Sequence, residues 1–137
     1  MHRMLVGALA LSLLGCGTTG STGYKSGAEA VILGSEIAGT ELTERFDLNG
    51  DEKPDVWKVS FISDVDDEKT ILRKEIDVNF DGKVDVTKYY DRNGEVEREE
   101  MDLDFDSRVD ATNVYEEGNL AVREVDTSFD GQVDVWK

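Results

Sequence analysis

The chain has 137 residues, of which 31 are acidic and 15 basic, so its formal net charge is −16 at pH 7. This charge argues against nucleic acid and anionic lipid headgroups as partners, because both would repel it. The length suits one small domain rather than two, and a single cysteine excludes an internal disulfide framework.

Residues 1–15 are predicted to be a lipoprotein signal peptide. A short basic start precedes an apolar run at residues 5–14, which is too short to cross a bilayer as a helix. The run ends in Leu13-Leu14-Gly15-Cys16, which resembles a bacterial lipobox with the only cysteine at the lipidated position. The resemblance implies cleavage before Cys16 and a lipid anchor on its thiol. The alternative is a plain signal peptide followed by a free cysteine, which is unusual in an exported protein.

Residues 16–27 are predicted to be the lipidated cysteine and a flexible tether, because Gly, Ser and Thr dominate them. Gly17 rather than Asp follows Cys16. By resemblance to Gram-negative lipoproteins, this implies the outer membrane, with the periplasmic and the surface faces both open. Residues 28–137 would then form a single domain, in which residues 28–34 fit either a strand or a short helix.

Four acidic loops recur in one register along this domain, at residues 47–55, 77–85, 102–110 and 126–134. Numbered from 1 to 9 within each loop, positions 1, 5 and 9 are always Asp, and position 3 is Asn, Asp or Ser. The loops start roughly every 25 residues. Self-similarity at such a period indicates one supersecondary unit used in series.

Runs of β-branched and aromatic residues flank every loop and are predicted to be strands. Such runs follow the loops at 56–62, 86–90, 111–115 and 135–137, and others precede them at 71–76, 96–101 and 120–125. Tight turns, such as the one at Asn93-Gly94, join these runs. The sequence therefore predicts an all-β, antiparallel up-and-down meander of about seven to eight strands, with all acidic loops on one edge.

The expected sheet has one wet face, because charged residues occupy the strand centres. Its other face would form the core. Trp57 and Trp136, which follow their loops at the same position, are expected in this core, with exposed sugar-stacking residues as the alternative. The phenylalanines at loop position 4 are expected to be core or clasp residues rather than ligand contacts: Phe80, Phe105 and Phe129.

The loop spacing, Asp-x-Asn/Asp/Ser-x-Asp-x-x-x-Asp, resembles the calcium loops of EF-hand-like proteins, dockerins, thrombospondin type 3 repeats and FG-GAP and VCBS repeats. The resemblance implies that side chains at positions 1, 3, 5 and 9 and the backbone carbonyl at position 7 bind a structural Ca²⁺. The implied ligands are Asp47, Asn49, Asp51, Lys53 and Asp55; Asp77, Asn79, Asp81, Lys83 and Asp85; Asp102, Asp104, Asp106, Arg108 and Asp110; and Asp126, Ser128, Asp130, Gln132 and Asp134.

Two positions depart from the calcium-loop pattern. Gly82 and Gly131 allow the sharp turn at position 6, whereas Glu52 and Ser107 replace glycine in the other two loops. Position 12 lacks the bidentate Glu of EF-hands in all four copies, so we expect a Kd of roughly 10⁻⁴ to 10⁻³ M. Glu75, Glu100 and Glu124, two residues before their loops, could add an oxygen or pair with basic side chains. The alternative is a set of ion-free turns rich in Asp and Asn.

No constellation for catalysis is present in the sequence. The only histidine is His2, in the leader, and the carboxylates repeat in like environments, whereas an acid–base pair needs unlike ones. The chain is therefore predicted not to be an enzyme but a surface-anchored, calcium-stabilised β-repeat lipoprotein. It would bind a protein partner in adhesion or in a motility or envelope assembly. The alternative is a metal-independent subunit of a periplasmic complex, whose acidic edge docks a basic partner; calcium buffering is a third possibility.

Overall fold

The computed structural model describes residues 30–66 and 68–137. The predicted signal peptide, Cys16 and the tether lie outside these described residues. Nine strands follow one another: β1 (Val31–Ala38), β2 (Glu41–Asp47), β3 (Val56–Ile62), β4 (Lys69–Ile76), β5 (Val86–Tyr90), β6 (Val96–Met101), β7 (Ala111–Glu116), β8 (Asn119–Val125) and β9 (Val135–Trp136). Within this part of the chain, no helix is long and apolar enough to cross a membrane.

The strands form a single sheet in the order β1 to β9, and each strand is antiparallel to its neighbours. The predicted all-β meander is therefore confirmed. It has nine strands rather than seven or eight because β1 is a strand, at a place where the sequence left strand and helix open. Its apolar residues show no clear period, so only pairing with β2 settles its conformation.

Loops and turns lie on opposite edges of the sheet. Each acidic loop joins an even-numbered strand to the next odd-numbered one, whereas shorter connections join each odd-numbered strand to the next even-numbered one. Gly94 shows why a turn forms after β5: its φ is +82°, and its N–H donates to the carbonyl of Asp91 at 3.1 Å. The prediction that all four acidic loops share one edge is confirmed.

Neither face of the sheet is covered by another element among the described residues, because only sequence-adjacent strands contact each other. The expectation of one wet face over a core was therefore wrong. In the part of the chain that the structure describes, buried apolar residues are limited to Leu42, Val59 and Ala111. Trp136 is 67% exposed and Trp57 is half-buried, and the phenylalanines at loop position 4 are exposed. A single layer has no second layer against which these aromatic rings could pack.

Side chains line up in rows across the strands, because residues directly opposite each other in a sheet point to the same face. One such row, which we call the polar row, crosses seven strands through Glu44, Lys58, Lys74, Lys88, Glu99, Asn113 and Arg123. Beside it, nearer the loops, runs a row of mainly apolar residues that includes Phe46, Val56, Ile76, Val86 and Met101.

Glu99 is the most highly bonded member of the polar row, and its side chain is only 15% exposed. It accepts hydrogen bonds from the Lys88 ammonium at 2.7 Å, the Tyr115 hydroxyl at 2.7 Å and the Asn113 amide at 3.2 Å. Burial raises the pKa of Glu99, but these donors outweigh it and hold the pKa below its ordinary value of 4.5.

Replacing Glu99 with Gln is expected to lower the free energy of unfolding by about 1–2 kcal/mol at neutral pH, because a charged acceptor of three donors is lost. Since the folded-state pKa is depressed, this contribution exists above pH 4.5 and disappears as the pH falls through the lower folded-state pKa. Urea denaturation of both proteins at pH 7 and pH 3 measures the effect. The exposed Glu97→Gln on the same strand is the control. A Glu99→Gln deficit as large at pH 3 as at pH 7 would contradict the assignment.

Candidate metal loops

The aspartate at position 1 organises each loop through the backbone. In loop 2, Asp77 is buried, and its Oδ1 accepts the N–H groups of Phe80 at 2.7 Å and Asp81 at 3.2 Å, while its Oδ2 accepts that of Gly82 at 2.7 Å. The equivalent aspartates Asp47, Asp102 and Asp126 likewise accept N–H groups from their own loops on both oxygens. Position 1 therefore acts as the hub of the turn.

The aspartate at position 9 ties the end of the loop to its start. Asp85 is buried, and its Oδ2 accepts the N–H groups of Val78 at 2.8 Å and Asn79 at 3.2 Å. The same bonds to positions 2 and 3 recur at Asp55, Asp110 and Asp134. In each case Oδ2 is the acceptor, and Oδ1 has no hydrogen bond to the described residues.

Positions 3 and 5 carry exposed oxygens. In loop 2, Asn79 Oδ1 accepts the N–H of Asp81 and Asp81 Oδ1 accepts that of Lys83, both at 2.9 Å. These are turns of the kind in which Asp and Asn side chains cap the backbone two residues on. In loop 4 position 3 is a serine, and its hydroxyl donates a hydrogen bond to Asp126 Oδ1 at 3.2 Å.

Two residues in every loop adopt a left-handed backbone conformation. At position 6 these are Glu52, Gly82, Ser107 and Gly131, so the sharp turn expected there forms with or without glycine. At position 4 they are Gly50, Phe80, Phe105 and Phe129. Sequence reasoning missed position 4, although Gly50 in the first loop was a signal for it. A positive φ at a bulky residue is strained, and the dense hydrogen bonding of the loop holds it in place.

Exchanging glycine and serine at position 6 is expected to move stability in opposite directions in loops 2 and 3. Gly82→Ser should lower the free energy of unfolding by about 1 kcal/mol, and Ser107→Gly should raise it by about 0.5–1 kcal/mol, because a Cβ is disfavoured at positive φ. A Cβ at Gly82 would meet no atom within 4 Å, so the effect is conformational rather than steric. Chemical denaturation of the two single variants measures it. Shifts of the same sign would contradict it.

The four loops abut one another along the edge of the sheet. The N–H of position 1 in each later loop donates to the carbonyl of position 9 in the loop before it. The three bonds are Asp77 to Asp55 at 2.8 Å, Asp102 to Asp85 at 2.8 Å and Asp126 to Asp110 at 2.7 Å. Since strands are about 4.8 Å apart, loops on alternate connections lie about 10 Å apart. We call this continuous line of loops the acidic edge.

Loop 3 brings three carboxylates together. One oxygen each from Asp102, Asp104 and Asp106 lies within 4.8 Å of the others, the only group of three such acidic ligands among residues 30–66 and 68–137. Loss of hydration, together with the neighbouring charges of Asp106, Asp110 and Asp102, raises the pKa of Asp104. A set of carboxylate oxygens with mutual repulsion suits a hard divalent cation.

Basic residues at position 7 partly neutralise two of the loops. In loop 3 the Arg108 guanidinium contacts Asp106, with Nε at 2.6 Å from Oδ2, and this lowers the pKa of Asp106. In loop 1 the Lys53 ammonium lies 3.7 Å from Asp51. A cation entering loop 3 would therefore compete with Arg108 for Asp106.

The residues predicted as ligands are thus gathered within each loop, but they differ in how free their oxygens are. Position 9 retains in every loop an Oδ1 with no hydrogen bond to the described residues. The exposed oxygens of positions 3 and 5 could also bind a cation, although in loop 2 each of them already accepts one hydrogen bond. Both oxygens of position 1 accept backbone N–H groups. Glu75 and Glu100 pair instead with Arg73 at 2.7 Å and Arg98 at 3.0 Å, on the strands rather than in the loops. The donor set that fits Ca²⁺ is therefore the loop itself.

No protein-family model, curated protein or solved structure matches the chain.

Proposed function

We propose that this chain is a calcium-stabilised β-repeat lipoprotein, anchored to the outer membrane through Cys16, that acts as a binding or structural component of the cell envelope. The observation that supports this best is the acidic edge. Four loops with the same aspartates at positions 1, 5 and 9 lie side by side on one edge of one sheet, joined by backbone hydrogen bonds.

The cation would have a structural role. Neighbouring loops are about one Debye length apart at physiological salt, so their charges repel each other as well as repelling within each loop. A divalent cation bound to the exposed oxygens of positions 3 and 5 and to the Oδ1 of position 9 would neutralise both kinds of repulsion. The fold needs such a contribution, because buried apolar side chains are few in the described part of the chain.

The repeated sheet favours binding over catalysis. Its unit of strand, acidic loop, strand and turn presents the same carboxylates in like environments, and such an arrangement provides an extended surface rather than an acid–base pair. With a lipid anchor and a tether before it, the domain would meet a protein partner in adhesion or in a motility or envelope assembly.

Thermal unfolding of the chain in 1 mM CaCl₂ and in excess EGTA tests the proposal. We expect a clearly higher midpoint with calcium, because the loops bind calcium only in the folded state. A matched sample with NaCl at equal ionic strength separates binding from screening. An unchanged midpoint would overturn the calcium role while leaving the lipid anchor to be tested by radiolabelled palmitate incorporation with Cys16→Ala.

A second candidate is a metal-independent envelope subunit whose acidic edge docks a basic partner. One observation favours it: the aspartates at positions 1 and 9 already have backbone donors without any cation. In that case a basic peptide such as oligolysine should bind in EGTA with a strong salt dependence, and calcium should leave the melting midpoint unchanged.

A further inference from the structure

Three lysines stand side by side on one face of the sheet. Lys74 on β4 lies directly opposite Lys58 on β3 and directly opposite Lys88 on β5. Like charges directly opposite each other destabilise a sheet. The arrangement is unexpected in a chain with a net charge of −16, because acidic residues outnumber basic ones and a glutamate at position 74 would pair with both neighbouring lysines.

Only the two outer lysines are neutralised. Lys58 pairs with Glu44 at 2.9 Å and Lys88 with Glu99 at 2.7 Å, both on the sides that face away from Lys74. Lys74 has no carboxylate within 4.0 Å in the described ranges. Among the described residues, the middle one of the three lysines is therefore left without a counter-charge.

The other repeats show that a lysine is not required at this place. Glu44, Lys74, Glu99 and Arg123 each stand three residues before their loop. Glu44 and Glu99 alternate in sign with their lysine neighbours, and Arg123 donates to the neutral Asn113 at 2.9 Å. Lys74 alone has like charges on both sides. Like charges opposite each other occur at only one copy of the repeat, and no neighbouring side chain compensates for them. Such a local violation indicates a functional position.

An apolar cavity adjoins the unpaired lysine. It has a volume of about 210 Å³ and is lined by Ala30, Phe46, Leu48 and Val56 together with Lys58 and Lys74. Apolar side chains thus line this space together with two lysines. The volume is below the roughly 300–1,000 Å³ of sites for drug-sized ligands, so an occupant would be small.

We propose that this cavity binds a small amphipathic carboxylic acid, with its carboxylate between Lys58 and Lys74 and its apolar body against Phe46, Leu48 and Val56. Charge complementarity selects the anion, because the ligand supplies the counter-charge that Lys74 lacks. The apolar lining selects a carboxylate that carries a short hydrocarbon body over a bare ion. The site shares Leu48 with loop 1, but none of the residues expected to bind calcium lines it.

Hexanoate is a suitable probe. Titrated into the ¹⁵N-labelled chain in 1 mM CaCl₂, it is expected to shift the amide signals of Leu48, Val56 and Lys74 with one saturable binding curve. Acetate provides the charge without the apolar body, and 1-hexanol provides the apolar body without the charge. Both should bind at least about tenfold more weakly. The absence of a saturable shift with hexanoate, or equal binding of 1-hexanol, would overturn the proposal.

Lys74→Glu tests the charge directly. It should weaken hexanoate binding about tenfold or more, because a carboxylate then repels the ligand. It should also raise the melting temperature, because the row would alternate in sign from Glu44 to Glu99. That rise distinguishes lost binding from lost folding. Lys69→Glu, at the exposed start of the same strand, is the matched control and should leave binding unchanged. Undiminished hexanoate binding by Lys74→Glu would also overturn the proposal.

Discussion

Removal of calcium with a chelator is expected to lower the melting temperature of this domain by about 20 °C. At 1 mM Ca²⁺ and a Kd of about 0.1 mM, each loop contributes about 1.4 kcal/mol, so four loops give about 6 kcal/mol. A domain of this size shifts by about 4 °C for each kcal/mol. The physical source is relief of repulsion within and between neighbouring loops of the acidic edge.

The effect should depend on the cation rather than on salt in general. Calorimetric or circular dichroism melts in CaCl₂, in EGTA and in NaCl of matched ionic strength separate the two. The Asp104→Ala and Asp106→Ala variants remove ligands from loop 3 alone, so together they should remove about a quarter of the calcium-dependent shift. A shift of equal size in NaCl would assign the effect to screening.

Replacing Asp77 with Asn is expected to destabilise the domain by about 3 kcal/mol even in EGTA. Asp77 is 2% exposed and accepts three backbone N–H groups within loop 2. The amide nitrogen of Asn cannot accept a hydrogen bond, so it would face at least one of these donors and leave it unsatisfied. The loss would also release the strained conformation of Phe80.

Asp81→Asn is the matched control for Asp77→Asn. Asp81 belongs to the same loop and carries the same charge, but its side chain is exposed. Its Oδ1 accepts the N–H of Lys83, a bond that Asn retains, and its Oδ2 accepts only the exposed Asn79 amide at 3.3 Å. We expect a change within about 0.5 kcal/mol. Urea denaturation in EGTA measures both variants without any contribution from calcium. Equal losses would show that net charge, rather than the buried hub, controls the stability of the loop.

Local patterns made the meander predictable. The recurrence of Asp at loop positions 1, 5 and 9, the β-branched runs between loops, and turn pairs such as Asn93-Gly94 each act over a few residues. Because antiparallel neighbours joined by short connections lie next to each other, the repeat order also gives the strand order. The common edge of the loops follows from that order alone.

Burial was harder to predict, because it depends on what lies across the sheet. Phenylalanine is typical of protein cores, yet Phe80, Phe105 and Phe129 each lie exposed at a loop position with a left-handed backbone conformation. The repeat contains no second layer that could cover them. In this chain the most protected side chains of the loops are aspartates such as Asp77 and Asp85, because backbone N–H groups surround them.

By itself, the sequence determined the repeat, the strands, the loops and the edge that the loops share, since each follows from neighbours along the chain. Only the tertiary structure decided which side chains stand opposite one another. Within each loop, positions 1 and 9 bond to the backbone, whereas positions 3 and 5 face water. This difference depends on how the loop closes. Lys74 lies between Lys58 and Lys88 because of the strand register, which brings together residues that are distant in the sequence.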